Sequence, residues 1–337
     1  MQRLFKCLRH SGLFNLAVKA GLTLAAFWFV FRGVDFGYLR DIVINQDHWM
    51  VFVCAFLMLC QLGIGASRWR MILSALSGAG EKVLSQVAAL RIYYISVFFS
   101  CCLPGAVAGD VVRVWLCRGE DIPMPITIHS VIIDRVMALG ALMLMVVATL
   151  PMLGNAVGFN TSILLPLILL AGIFGLWLLF RIDRWLAPVK HIRMVHWLLY
   201  FVSSLRLILT RPSIAIISLA SALLGHIVYC AAVYVLARSL SIDITLLQCI
   251  MVMPPVLLAT TLPISIGGWG VREAGTVGML ALIGIAKGPA LMLSIQVGII
   301  YMLTSLPASI LWLMYRKRSN PETALGGTAS PAFPDHQ

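Results

Sequence analysis

The amino-acid sequence predicts an all-α integral membrane protein. It reads as an inverted-topology repeat of six full transmembrane helices plus two re-entrant helical hairpins. Three observations lead there. The 337 residues are 61% hydrophobic and 11% charged, with a mean hydropathy of +0.96, where a soluble domain carries roughly 25% charged residues. Many apolar runs approach the ~20 residues that a spanning helix needs. Finally, the stretch L103-P-G-A-V-A-G-D-V-V-R113 returns 159 residues later as L262-P-I-S-I-G-G-W-G-V-R272. Leu, Pro, a small residue followed by Gly, and Val-Arg keep the same offsets in both copies.

Six runs read as full spans: about 13–31, 49–67, 127–150, 161–181, 213–238 and 289–314. The first is long for a signal-peptide core and has no Ala-x-Ala-type site after it, so it reads as a retained helix. Two further regions, about 84–122 and 246–286, are apolar but interrupted by the repeated motif. Between the fourth and fifth spans, Ile192, Val195, Leu198, Leu199, Val202, Leu205 and Leu209 fall at helical spacing. Lys190, Arg193, Trp197, Tyr200 and Ser204 favour another face, which predicts an interfacial helix over about 189–209. The expected organisation is a first membrane repeat at 1–157, a second at 158–318, and a disordered tail at 319–337 that is rich in Pro, Gly, Ala and Thr.

Lys and Arg in short loops set orientation. The N-terminus, segment 67–91, segment 182–212 and the end at Arg316-Lys317-Arg318 are basic and read as cytoplasmic. Loops 32–48, 151–160 and 239–245 lack that excess and read as outside. The alternation closes only if each interrupted region returns to the side it came from: 84–122 enters from the cytoplasm, 246–286 from outside. Broken backbone at membrane depth is tolerated where protein or a watery cavity surrounds it. Inverted repeats with Gly/Pro-interrupted segments in matching positions build transporters with a site near the midplane.

The net charge of +12 does not point to nucleic acid, because no soluble basic domain accompanies it. The basic residues meet anionic lipid headgroups instead. The eight cysteines are scattered and show neither metal-ligand nor disulfide spacing, so no cofactor or metal is expected. No catalytic constellation and no P-loop is present, which argues against an enzyme and against ATP-driven transport.

Arg113 and Arg272 stand nine residues after their prolines, Pro104 and Pro263. An arginine at membrane depth costs a few kcal/mol on insertion scales and so faces protein or water. Its fork suits phosphate. Each guanidinium therefore either contacts a headgroup or pairs with a carboxylate. Asp110, three residues before Arg113, is well spaced for pairing, while Glu273 adjoins Arg272 and is expected to point elsewhere. Gly109, Gly267, Gly268 and Gly270 either offer amides to an anion or simply permit turning and close packing. Asp134 and Arg135, with Arg91, Asp110 and Arg113, form either a charged vestibule or a structural ion-pair network. His226 is either a proton relay or a hydrogen-bonded packing residue.

The two motifs, together with V131-I-I-D-R135 and L262-P-I-S-I-G-G-W-G-V-R-E273, resemble the lysylphosphatidylglycerol synthase transmembrane (flippase-like) family over roughly residues 10–315. The resemblance implies a membrane domain that moves lipid between leaflets of the bacterial inner membrane. In the best-known members a separate soluble domain makes the aminoacylated lipid. None is expected here, so the chain reads as a stand-alone member and synthase activity is not carried over. Stand-alone members are associated with phospholipid-, hopanoid- and polyisoprenoid-linked pathways, whose enzymes would be further partners. The alternatives are a non-transporting scaffold of an envelope-lipid pathway and a secondary transporter of a small solute.

Overall fold

The computed structural model describes residues 46–77, 83–102, 108–120, 122–157, 193–261 and 268–318, with isolated positions between 166 and 181. The expected span at 13–31, all but those isolated positions of the expected span at 161–181, both prolines of the repeated motif, Gly267 and the tail after 318 lie outside the described residues.

Every regular element among the described residues is helical. In chain order they are α1 (His48–Leu76), α2 (Gln86–Cys102), α3 (Ala108–Arg118), α4 (Met124–Val157), α5 (Arg193–Thr210), α6 (Pro212–Ser239), α7 (Leu246–Thr261), α8 (Val271–Ala281), α9 (Lys287–Ser305) and α10 (Pro307–Arg318). Four stretches are long and apolar enough to cross a membrane: His48–Leu76, Met124–Gly154, Pro212–Ser239 and Lys287–Met314. They coincide with four of the six expected spans. The two interrupted regions resolve into short helix pairs, α2 with α3 and α7 with α8, each pair packed together.

Local chemistry sets these ends. The Asp47 carboxylate accepts the Trp49 amide at 2.9 Å and starts α1. Pro212 occupies the first turn of α6, where its missing N–H costs nothing. At α7, Thr245 and Gln248 cap reciprocally: the Thr245 amide donates to Gln248 Oε1 at 2.8 Å, and the Gln248 amide to Thr245 Oγ1 at 3.2 Å. Pro307 opens α10 directly after α9.

Apolar side chains point both ways, as lipid demands. Trp49, Phe52, Phe56, Ile216 and Leu313 are exposed on the spanning helices. Inside, Cys54 and Met58 of α1 pack with Val233 and Leu236 of α6, Val252 of α7 and Val297 of α9. Farther along α1, Trp69 and Leu73 pack with Ile92 of α2, Leu116 of α3 and Ala308 of α10. Thus α1 and α9 each touch helices of both halves.

α5 buries Val202, Leu205 and Ile208 against Ile72 of α1 and Ile133 and Met137 of α4. Its inward face is rotated from the expectation: Ser204, assigned to the polar face, is buried and donates to the Tyr200 carbonyl at 2.9 Å. That local bond satisfies the hydroxyl and removes the penalty for burying it.

Candidate functional site

The carboxylate of Asp134, buried on α4, accepts from two arginines. Arg68 Nε of α1 donates to its Oδ1 at 2.8 Å, and Arg113 Nη1 of α3 to its Oδ2 at 3.3 Å. Asp110, in the first turn of α3, receives a bidentate pair from Arg135, Nε at 3.0 Å and Nη2 at 3.1 Å. It also lies 3.6 Å from Arg113 Nη2. Arg113 Nε reaches Ser96 Oγ of α2 at 3.4 Å. The Arg113 guanidinium lies over Tyr93 at 4.3 Å and Trp69 at 5.0 Å, ring faces that stabilise a cation where water is scarce. Three arginines against two aspartates leave one positive charge in this cluster.

Both partners lie well inside their helices. Asp134 lies ten residues into α4 and Arg68 eight residues before the end of α1, so at about 1.5 Å per residue both sit roughly 12–15 Å from a helix end. Gly109 allows the assembly, because a β-carbon there would collide with the Ser96 carbonyl and the Ser100 hydroxyl of α2.

The second copy of the motif makes a smaller site. Arg272 bonds Glu273 Oε1 through Nη2 at 2.7 Å and Nε at 3.1 Å. The expectation that Glu273 points elsewhere is therefore corrected. Glu273 is fully buried and turns back to accept the Gly270 amide with its other oxygen; the long Arg272 chain wraps round to meet it. Gly268 and Gly270 take positive φ of 78° and 82°, which glycine adopts without strain. The amide at Gly270 is thus already occupied by the chain's own carboxylate. Arg272 lies 4.5 Å from the Trp269 ring and presses on Gly298 of α9, where a β-carbon would overlap the guanidinium. One cation and one carboxylate leave this site neutral.

The cations differ in access. The side chains of Arg68 and Arg113 are 7% and 3% exposed, Arg272 13%, and Arg135 49%. Arg135 presents the accessible face of the first cluster. Arg91 does not join the expected vestibule but binds Glu120 at 2.8 Å. Arg68, read in the sequence only as a loop charge, is a member. His226 Nε2 meets the Ala138 carbonyl at 3.1 Å, a bond across α6 and α4 that gives it a packing role. His129 is buried against Tyr200, ring centroids 4.6 Å apart. The seven described cysteines are unpaired, and no group of metal-ligating side chains occurs among the described residues.

Long apolar helices around buried arginine–carboxylate clusters define a multi-pass α-helical membrane protein. Residues 16–308 match the family model described as the lysylphosphatidylglycerol synthase TM region, and the chain belongs to that family. Searches of curated proteins and of solved structures gave no significant match.

Proposed function

We propose that this protein carries a phosphate-bearing envelope lipid between the leaflets of the bacterial inner membrane. One observation carries the reading: two arginine sites at matching motif positions, each on a broken helix pair inside an otherwise apolar bundle. A headgroup phosphate leaving water loses its hydration and needs replacement partners. Guanidinium groups supply them. Family membership supports a lipid-related role in the membrane.

In this reading the pairs α2–α3 and α7–α8 are re-entrant hairpins, the first from the cytoplasm and the second from outside, within an inverted-topology repeat of six spans. Both termini are cytoplasmic, and α5 lies along the cytoplasmic interface. Arg135 receives the headgroup on one side and Arg272 on the other. Arg113 and Arg68 hold Asp134 and Asp110 in place for Arg135. Acyl chains stay in lipid throughout, and no bond is made or broken.

Lipid analysis of the purified protein, followed by leaflet transfer of the retained lipid in proteoliposomes, tests the reading. Transfer faster than in protein-free vesicles is expected. Retention of lipid without transfer would instead indicate a scaffold, and uptake of a water-soluble solute a secondary transporter; either overturns it.

A further inference from the structure

The two arginine sites are joined by direct contacts through α2 and α9. On α2, the Tyr93 ring lies 4.3 Å from the Arg113 guanidinium, and Ser96 Oγ accepts from Arg113 Nε at 3.4 Å. Between them on the same helix, Tyr94 donates its phenol proton to the Thr304 carbonyl of α9. α9 packs against α2. Gly298, six residues before Thr304 on α9, receives the Arg272 guanidinium. Six residues of helix span only about 9 Å.

Thr304 sits at a joint in the last span. α9 ends at Ser305 and α10 opens at Pro307. Proline has no N–H, so the Leu303 carbonyl loses its helical donor and accepts the Leu306 amide at 3.2 Å instead. The hydroxyls of Thr304, Ser305 and Ser309 each donate to the carbonyl three residues back, at 2.9, 2.7 and 2.7 Å. Such local bonds compete with the helical ladder, and a proline concentrates bending at one place. α2 holds both sides of this joint. Tyr94 grips the α9 side, and on the α10 side the Phe99 ring meets Trp312 edge-on at 5.4 Å.

We infer that Tyr94 is a positioning residue that couples the two arginine sites. Its bond to Thr304 ties the α2–α3 pair to a span that bends at Pro307. The Arg272 guanidinium fills the space beside Gly298. An anion that draws it away frees α9 to shift. Tyr94 passes that shift to α2, and Tyr93 and Ser96 slacken their hold on Arg113. The first helix pair then opens as the second site takes its headgroup. For its use the coupling rests on the lipid-transfer reading, but the coupling itself is measurable without lipid.

Hydrogen–deuterium exchange of the full chain in detergent, read over α3, provides the test. Arg272→Ala should speed exchange across Ala108–Arg118 by about three- to ten-fold, the worth of one hydrogen bond. Gly298→Ala, which displaces Arg272 but keeps its charge, should do the same and serves where Arg272→Ala fails to fold. Tyr94→Phe keeps the ring and removes the tie. Combined with Tyr94→Phe, neither change should alter exchange in α3. A tyrosine that merely braces the fold would leave the α3 response in place. An undiminished response alongside Tyr94→Phe, or no response to Arg272→Ala and Gly298→Ala alone, would overturn the inference. In proteoliposomes of phosphatidylethanolamine and phosphatidylglycerol, Tyr94→Phe should slow transfer of a fluorescent phosphatidylglycerol about ten-fold. An unchanged rate would also overturn the inference. No transfer by the unaltered protein would overturn the parent reading, while the exchange response would still establish the coupling.

Discussion

Arg68 and Asp134 meet at 2.8 Å across 66 residues of chain, inside the bundle where α1 passes α4. The bond joins a cation near the end of one spanning helix to a carboxylate well inside another. Asp134 also holds Arg113, and through Arg113 the cluster reaches Asp110 and Arg135. Asp134 therefore ties the whole arrangement together.

Asp134→Ala takes the carboxylate from buried Arg68 and leaves buried Arg113 with Asp110 alone. Removing one partner of a buried pair costs about 3–5 kcal/mol. Thermal unfolding in detergent should show a large drop for Asp134→Ala. The paired change Arg68→Met with Asp134→Leu should lose less than Asp134→Ala alone. An equal or larger loss would mean that the pair adds nothing beyond its separate members.

Arg113→Ala and Arg135→Ala should separate structure from function. Arg113 is enclosed by two carboxylates and two rings, so its loss should lower the unfolding temperature. Arg135 is half-exposed, and its loss should weaken lipid binding while leaving unfolding nearly unchanged. The reverse pattern would assign the headgroup contact to Arg113.

The two close-packed glycines should also differ. At Gly109 an added methyl meets the Ser96 backbone, which cannot swing aside. Gly109→Ala should destabilise by about 1–3 kcal/mol, the usual cost of overpacking. At Gly298 the obstacle is the tip of a flexible arginine. Gly298→Ala should fold normally but displace Arg272 and slow lipid transfer. Unfolding temperatures and transfer rates measured on both variants decide this.

Topology is open to cysteine labelling on a cysteine-free background. A cysteine at Ser241, exposed between α6 and α7, should react with an impermeant reagent only from outside the cell. One at Gly119, exposed after α3, should react only after the membrane is breached. Labelling of Ser241 from the cytoplasm alone would contradict the charge-based orientation.

Much of this is legible in the sequence. Length and apolarity located α1, α4, α6 and the α9–α10 span, because hydrocarbon thickness fixes both quantities. The repeated Pro, Gly and Arg located the two broken pairs. Arg68 escaped because charged residues end an apolar run on paper, whereas α1 continues as helix to Leu76 and carries Arg68 inside. Asp134 within an apolar run was the available signal: its neighbour Arg135 turns to Asp110, so Asp134 needs a cation from another helix. The Arg272–Glu273 bond escaped because neighbours on a helix diverge by about 100°, and only the Gly270 amide turning Glu273 back brings them together.

The long reach from Arg68 to Asp134 also constrains how the protein is made. Arg68 leaves the ribosome 66 residues ahead of its partner, a delay of roughly 3–13 s at about 5–20 residues per second. During that time its guanidinium has no aspartate, and an unpaired arginine inside a bilayer costs at most about 2.5–3.5 kcal/mol on insertion scales, the value for the centre of the helix. Until α4 emerges, the long side chain of Arg68, eight residues from the end of α1, has the interface as its polar surrounding. The counter-charge for Arg68 thus arrives only once α4 has been made.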